Sequence, residues 1–520
     1  MRSYLKKYKS SLLGFVESPP KLSAANLFAI LMAILFLYTL FSFLGVYFNS
    51  GYLIEFRSFA QIDTVLAFRD GRNPFAEEDP AGASNLYTFL WPLGLAILSR
   101  ILFLDDISSI IVLARLVSAA TMFVAFAAVL RVATAQKKPF VVTVTALFVL
   151  LMINLIRIVL GEWSYGAGLN ISVVALMYWV SSSKNLRSFS CFLALIFLAS
   201  MMKFYFVFVS APIVISFLYE YIRAYGREAH IAIGKLAIVA AAFSVVIAVI
   251  HILFPTYFAH AFGVHALIFN QSGGLLIELR GVMGIAPWIY LPLALFVLRG
   301  SGGTGKVLER LGLILTFSLV TFYFGRHSGN AVTYTANILG PLAVWALISA
   351  PRAATRTTSE LVLVLVVVMF AIVPHARFGL ISGEKVAQNR ETIKAVETVL
   401  DSVESRKVYV PAVLSYLGRE RDYEYVDSGN REYIALWNSR RETLKERFPF
   451  SIAGRLFSWQ DKTINDMAYY DQALEFDVVI CSLRCRHFLK NAGYVEDREL
   501  GRLTAAWSGQ EHRVVLLRKP

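Results

Sequence analysis

The stretch FLALIFLASMMKFYFVFVSAPIV, residues 192–214, contains one charged side chain, Lys203, in 23 residues. About twenty apolar residues form a helix that crosses the hydrocarbon core of a bilayer. We predict two spans here, near 188–203 and 204–221, which meet at Lys203. A charged residue is costly within such a run and usually has a function when it occurs in a membrane protein. The stretch therefore predicts an integral membrane fold and indicates one candidate functional residue.

Similar apolar blocks recur from Ser23 to about Val373, and charge rises sharply after Glu384. Hydrophobic residues make up 57% of the chain and the mean hydropathy is +0.58, whereas soluble proteins contain about 45–50% apolar residues. From Glu384 onward there are 22 Lys/Arg and 21 Asp/Glu, which leaves 28 basic and 15 acidic residues before it. We predict a membrane domain, 1–383, and a soluble α/β domain, 384–520. The basic excess fits cytoplasmic loops better than a nucleic-acid partner.

The distribution of charge predicts the topology. About eleven spans are expected, near 25–47, 107–132, 140–160, 166–182, 188–203, 204–221, 233–254, 284–299, 311–325, 332–350 and 359–375. With a cytoplasmic N-terminus, every inner turn is basic, as the positive-inside rule requires. Counting the semi-apolar segment 86–104 as another span would invert this pattern, so we predict that it is a helix at the outer interface.

In this topology the first outer loop, 49–106, and the α/β domain both lie outside. The first apolar block is too long for a cleaved signal peptide, so we expect a retained anchor. We expect a multi-pass protein of the bacterial inner membrane.

Polar groups collect at the outer ends of the predicted spans. Glu55 follows the first span, and Asp63 and the sequence DGRNPF, residues 70–75, come next. A carboxylate at this level could deprotonate an acceptor hydroxyl; a solvated acidic loop is an equally good interpretation. Basic and imidazole groups could bind a lipid phosphate, although such residues often only extend to the headgroups. They are Arg157, Lys203, His265, Arg280, Arg326 and His327.

Two other patterns in the sequence do not predict a functional site. Residues 300–306 read GSGGTGK, but Val307 replaces the Ser or Thr of a phosphate-binding loop and no strand precedes it, so we do not predict a nucleotide site. Cys481 and Cys485 have the spacing of one helix face, which suits a disulfide poorly. No further ligands at a suitable spacing indicate a zinc site.

The soluble domain alternates short apolar runs with helical patterns. We predict helices at 390–403 and 483–492 and a helical insertion at 434–470. The predicted strands are 407–410, 423–426, 477–481 and 513–517.

The layout resembles the GT-C-fold glycosyltransferases, in particular the branch that contains protein mannosyltransferases and lipid A aminoarabinose transferases. In that family a carboxylate follows the first span. A helix ending in a glycine, a Pro/Tyr-rich interfacial helix and a second span opening with Ala-Arg-Leu-x-Ser-Ala then follow. The corresponding segments here are Glu55, 70–75, 87–92 and ARLVSA at 114–119. A Met-x-Lys turn is matched at 201–203, an aromatic loop with a histidine at 257–265, and a late basic segment at 326–334.

The resemblance covers about residues 25–350. It implies an inverting transfer of a sugar from a polyprenyl-phosphate donor to a hydroxyl of a glycan, lipid or protein. It also implies that Lys203, Arg326 and His265 hold the donor phosphate, with His327 and Arg157 as further candidates.

The same resemblance implies that Glu55 or Asp63 activates the acceptor. The family often has two adjacent acidic residues after the first span, whereas Phe56 and Arg57 follow Glu55, so both carboxylates stay candidates. Some relatives use a divalent metal, for which no ligands can be assigned. A transporter or ligase of lipid-linked glycans and a non-catalytic membrane assembly factor are the alternatives.

Overall fold

The computed structural model describes residues 24–49, 56–75, 89–158, 163–258, 287–298, 304–320, 331–349 and 383–403, and in the C-terminal part 408–410, 414, 417, 474, 476–481, 483–504 and 511–520. Several predictions fall on other residues. The candidates Glu55, His265, Arg280, Arg326 and His327 are outside the described residues, as are the side chain of Arg157, the span at 359–375, the strand at 423–426 and the insertion at 434–470.

The first part of the chain is helical. Its helices are α1 (Ala24–Asn49), α2 (Phe56–Arg69), α3 (Leu90–Ile101), α4 (Ile107–Ala135), α5 (Phe140–Ile158), α6 (Trp163–Ser181), α7 (Leu186–Met202), α8 (Ala211–Tyr225), α9 (Ala229–Leu253), α10 (Pro287–Leu298), α11 (Thr304–Leu319) and α12 (Ala331–Ser349). A 3₁₀ helix, Phe204–Ser210, joins α7 to α8. Each span predicted within the described residues corresponds to one of these helices.

Several boundaries differ from the prediction. The predicted span at 204–221 consists of the 3₁₀ helix and α8, which ends at Tyr225. Helix α11 begins at Thr304, seven residues before the predicted 311, because Lys306 and Glu309 form an ion pair of 2.7 Å along its first turns. The segment predicted at 86–104 forms α3, which has 12 residues. A helix of that length extends about 18 Å, which is shorter than the hydrocarbon core of about 30 Å.

Helices α7 and α8 run antiparallel, with Lys203 at the turn. The Phe189 and Phe217 rings stack with their centroids 4.0 Å apart, and each residue is 14 positions from Lys203. Lys203 itself is extended, with φ −162° and ψ 125°. The predicted turn at Lys203 is therefore confirmed.

Apolar side chains cover outward-facing surfaces of several helices. On α9, Ile238 is 71% exposed and Ile252 is 74% exposed, and on α1 Phe41 is 67% exposed. Among the described residues, Ile107–Ala135 and the continuous run Phe204–Leu253 are long and apolar enough to cross a membrane. Because exposed apolar helix faces of this size are unfavourable in water, these surfaces indicate contact with lipid.

Polar side chains also connect the buried faces of the helices. Asn154 of α5 and Asn170 of α6 exchange amide hydrogen bonds of 3.0 and 2.9 Å, and Asn170 also donates to Thr121 of α4 at 3.3 Å. Hydrogen bonds between helices hold membrane bundles together where apolar packing gives little specificity. This network fixes α4, α5 and α6 to one another.

The C-terminal part contains α13 (Gly383–Ser402), β1 (Val408–Tyr409), β2 (Val478–Cys481), α14 (Leu483–Asn491), β3 (Val495–Thr504) and β4 (Glu511–Arg518). The sheet order is β1-β2-β4-β3, with β1 parallel to β2 and the other pairs antiparallel. The C-terminal part thus contains a small sheet with helices, but β3 was not predicted because its sequence, VEDRELGRLT, is largely charged.

Side chains of α13 bond to the outer edge of β3. Asn389 donates to the carbonyl of Thr504 and accepts from its N–H, at 3.2 and 2.8 Å. Thr392 bonds both main-chain groups of Arg502 in the same way, at 2.9 and 3.0 Å. These bonds occupy main-chain groups that would otherwise be an open sheet edge.

The expectation about the cysteines was wrong in one respect. Cys481 is the last residue of β2, within the strand predicted at 477–481, and it is disulfide-bonded, which the spacing of the cysteines had been expected to disfavour. Because Cys481 belongs to a strand, the geometry of two positions on one helix does not apply to it.

Candidate active site

Lys203 is completely buried at the turn between α7 and the 3₁₀ helix. Its ammonium group lies 4.9 Å from the ring centroid of Tyr165 and 5.9 Å from that of Tyr205. Aromatic faces attract cations, and the attraction is stronger where water is excluded. The two tyrosines therefore hold a desolvated positive charge in a fixed position at one end of the helix bundle.

Helix α2 contributes a buried polar face at the same end. Gln61, Asp63 and Thr64 are each at most 3% exposed. The Gln61 side-chain oxygen accepts a hydrogen bond of 3.3 Å from the backbone N–H of Ser164. Ser164 directly precedes Tyr165 in α6, and the Tyr165 ring faces the Lys203 ammonium. The hydrogen bond between Gln61 and Ser164 therefore connects α2, which contains Asp63, to the surroundings of Lys203.

Helix α2 ends as the family resemblance implies. Its last residue is Arg69, and Gly71 follows with φ +78°, a conformation that glycine adopts without strain. The chain then reverses into the loop that contains Asn73 and Phe75.

This loop is fixed to the end of α9. Asn73 donates to the carbonyl of Leu253 at 2.8 Å, and both the N–H and the hydroxyl of Thr256 donate to the carbonyl of Phe75, at 3.1 and 3.0 Å. The Phe75 ring meets Phe254 and Tyr257 edge to face. The end of α9 thus lies at the same end of the bundle as Lys203, since Met201 belongs to this aromatic cluster.

Arg115 of α4 is 3% exposed and belongs to the ARLVSA motif. An ionised guanidinium without water around it needs compensating groups. Lys203, Asp63 and Arg115 are therefore ionisable side chains enclosed within the described helices, and burial of such groups in a membrane protein is typical of a functional site.

Several other buried polar atoms have no hydrogen-bond partner in the described part of the chain. They are Trp163 Nε1, Ser164 Oγ, Ser118 Oγ, Trp91 Nε1 and the side-chain oxygen of Asn337. Asn337, on α12, donates its amide hydrogen to the hydroxyl of Tyr205. The site residues predicted from the sequence do not include Trp163, Ser164, Tyr205 or Asn337. Hydroxyl, amide and indole groups in apolar helices were the only signal that could have found them.

The opposite end of the bundle explains the glycine-rich motif. Gly305, in the first turn of α11, packs so closely against the Glu220 carboxylate of α8 that a side chain at 305 would collide with it. Ser216 of α8 donates to the Gly305 carbonyl at 3.0 Å. The end of the motif therefore lies against α8, and the neighbouring Glu220 gives the site negative charge, which is unfavourable for a nucleotide phosphate.

Of the predicted site residues, the structure brings the α2 helix of Asp63 and the turn at Lys203 to the same end of the bundle. Arg157 lies on α5, close to that helix's last residue, Ile158. In the described residues, no group of three or more His, Cys, Asp or Glu side chains is arranged to hold a metal ion.

Comparisons with known proteins show a similarity to a solved structure. No family model matches the chain, and no curated protein matches it significantly. The structure is similar to that of ArnT from Cupriavidus metallidurans bound to undecaprenyl phosphate, with 12% identity over 93% of this chain and 97% of that chain and a TM-score of 0.42.

Proposed function

We propose that this protein is a membrane glycosyltransferase that moves a sugar from a polyprenyl-phosphate donor to an acceptor hydroxyl. The observation that carries the proposal is the enclosure of Lys203 and Asp63 at one end of an apolar helix bundle. A phosphate attached to a lipid presents its charge near the membrane surface, and a desolvated ammonium group at the end of the bundle is suited to bind it.

The chemistry follows from these groups. The carboxylate of Asp63, or that of Glu55, takes the proton of the acceptor hydroxyl. The acceptor oxygen bonds to the anomeric carbon as the bond from that carbon to the phosphate oxygen breaks, which inverts the configuration. The polyprenyl phosphate leaves with the bonding electrons, and the Lys203 ammonium stabilises the charge that develops on it.

The positions of the described turns support a site on the outer face. Lys203, the start of α6 and the end of α9 lie at one end of the bundle, and the basic residues Lys184, Lys235 and Lys306 lie at the other. The positive-inside rule puts the lysine-rich end in the cytoplasm. The disulfide at Cys481 supports the same orientation for the α/β domain, because disulfides persist mainly in oxidising compartments.

The test is sugar transfer by the full-length protein in lipid nanodiscs, supplied with a panel of labelled polyprenyl-phosphate sugars and membrane-derived acceptors. We expect Asp63→Asn or Glu55→Gln to lower kcat by at least about a hundredfold, in line with the loss of a general base. Lys203→Met should lower kcat/KM by a similar factor, because a charge at the leaving group is lost.

Matched controls are available at exposed positions. Asp70→Asn removes a carboxylate just beyond α2, and Lys235→Met removes an ammonium that bonds only the exposed Tyr225 hydroxyl in the described residues. Both should retain transfer. Full activity in both carboxylate variants would refute the assignment of the base, and full activity in Lys203→Met would refute the role of the buried cation.

A further inference from the structure

The first residues of α6 carry hydrogen-bond donors that nothing in the described part of the chain occupies. Trp163 is 1% exposed and Ser164 is completely buried. The indole N–H and the serine hydroxyl have no partner there. Buried polar side chains nearly always have a partner, and each exception calls for an explanation such as a ligand that binds there.

These donors lie where a helix terminus favours negative charge. Helix α6 has 19 residues, and its N-terminus carries the partial positive charge of the helix dipole. Backbone N–H groups at such termini commonly bind phosphate. Here Gln61 already occupies the Ser164 N–H, so an additional anion would bond to the side-chain donors.

A full positive charge lies next to the same turn of α6. The Lys203 ammonium is above the ring of Tyr165, which directly follows Ser164. Gly168, one turn further along α6, has no side chain, and Phe206 and Met202 pack into that space. The Lys203 turn is therefore held against the start of α6 by close packing.

We infer that Trp163 Nε1, the Ser164 hydroxyl and the Lys203 ammonium form the binding site for the phosphate of a polyprenyl phosphate. The inference rests on the proposed function. It adds two residues, Trp163 and Ser164, which bind the phosphate oxyanion and favour a lipid phosphate over an uncharged lipid headgroup. The N–H and O–H groups each donate to a phosphate oxygen, and the ammonium group compensates its charge.

The inference is tested by binding, independently of sugar transfer. Trp163→Phe and Ser164→Ala are made in the full-length protein in nanodiscs, and affinity is measured for a polyprenyl phosphate, the corresponding polyprenol and inorganic phosphate. Each variant should bind the polyprenyl phosphate about tenfold to a hundredfold more weakly, as expected for loss of one hydrogen bond to a charged group. Binding of the polyprenol should not change.

Two substitutions on the same helix serve as controls. Ser172→Ala removes a buried hydroxyl that already bonds the Gly168 carbonyl at 2.8 Å. Trp179→Phe removes an indole N–H at the other end of α6. Neither should weaken binding of the polyprenyl phosphate.

Thermal unfolding without ligand separates a binding role from a structural one. If Trp163 and Ser164 only support the fold, their variants should unfold at lower temperature. If their donors bind a ligand instead, unliganded Ser164→Ala should be as stable as the wild type, because no hydrogen bond is lost, and Trp163→Phe should lose only the packing of the larger ring. Lower unliganded stability with unchanged affinity would overturn the inference.

Other outcomes are equally decisive. Wild-type affinity in both variants, equal loss of polyprenol binding, or inorganic phosphate bound as tightly as the lipid phosphate would each overturn it. Absence of sugar transfer by the wild type, with phosphate binding that depends on Trp163 and Ser164, would instead refute the proposed function and leave the phosphate site established.

Discussion

Substitution of Gly168 by alanine tests whether close packing of α6 against the Lys203 turn positions the site. A Cβ at position 168 would lie 2.8 Å from Phe206 Cδ2, closer still to Cε2 of the same ring, and 3.1 Å from Met202 Cβ. Ordinary contacts begin near 3.4 Å. The ring would have to move by about 1 Å, and since Phe206 is completely buried it cannot do so without displacing its neighbours.

Two effects of opposite sign decide the magnitude. Overpacking of this kind costs about 1–3 kcal/mol. Replacing glycine by alanine within a helix raises the free energy of unfolding by about 1 kcal/mol. We therefore expect Gly168→Ala to lower the free energy of unfolding by about 0–2 kcal/mol relative to the wild type, and by about 1–3 kcal/mol relative to a Gly→Ala variant without the overpacking. Because Lys203 lies between Met202 and Phe206, binding of a polyprenyl phosphate should weaken as well.

The assay is reversible unfolding of the purified protein in mixed micelles, together with the binding measurement described above. Gly234→Ala is the matched control, since it lies within α9 and a Cβ there would meet nothing within 4 Å. That variant should be as stable as the wild type or more stable. The reasoning is refuted if Gly168→Ala unfolds like Gly234→Ala and binds the lipid phosphate normally.

Three further predictions concern other parts of the structure. Asn389→Ala should leave the main-chain groups of Thr504 without their partners and cost about 1–3 kcal/mol; hydrogen exchange of peptides from β3 would measure it, and unchanged protection would contradict it. Asp106→Ala removes the N-cap of α4, which accepts from the Ser109 N–H at 2.7 Å, and should cost about 1 kcal/mol in the unfolding assay. Bonds from Lys490 and Arg486 lower the pKa of Glu496, so its contribution to stability is present above the ordinary value of 4.5 and is lost as pH falls through the lowered pKa. Exchange protection of β3 should fall in that acidic range in the wild type but not in Glu496→Gln.

The amino-acid sequence by itself determined the helical architecture of the membrane part. Apolar blocks of spanning length predict α4, α7 and α9 closely, because a helix in lipid must satisfy its own backbone hydrogen bonds and be apolar along its length. The turn at Lys203 was also predictable, since a lysine in an apolar run of 23 residues favours a position at the end of a span. The start of α11 was not, because Lys306 and Glu309 pair within the helix and offset the charge that had indicated a turn.

Only the tertiary structure decided which polar groups meet. The bond from Ser164 to Gln61 joins residues 103 positions apart, and the bond from Asn337 to Tyr205 joins residues 132 apart. No periodicity in the sequence encodes such contacts, since they depend on how the helices pack against one another. Strand β3 likewise depends on contacts between distant parts of the chain. Its charged sequence forms a strand because Arg513 pairs with Glu499 across the sheet and Asn389 bonds to its outer edge. The sequence thus indicated a membrane bundle with Lys203 at a turn, and the packing of α6 against that turn is what places Trp163 and Ser164 beside it.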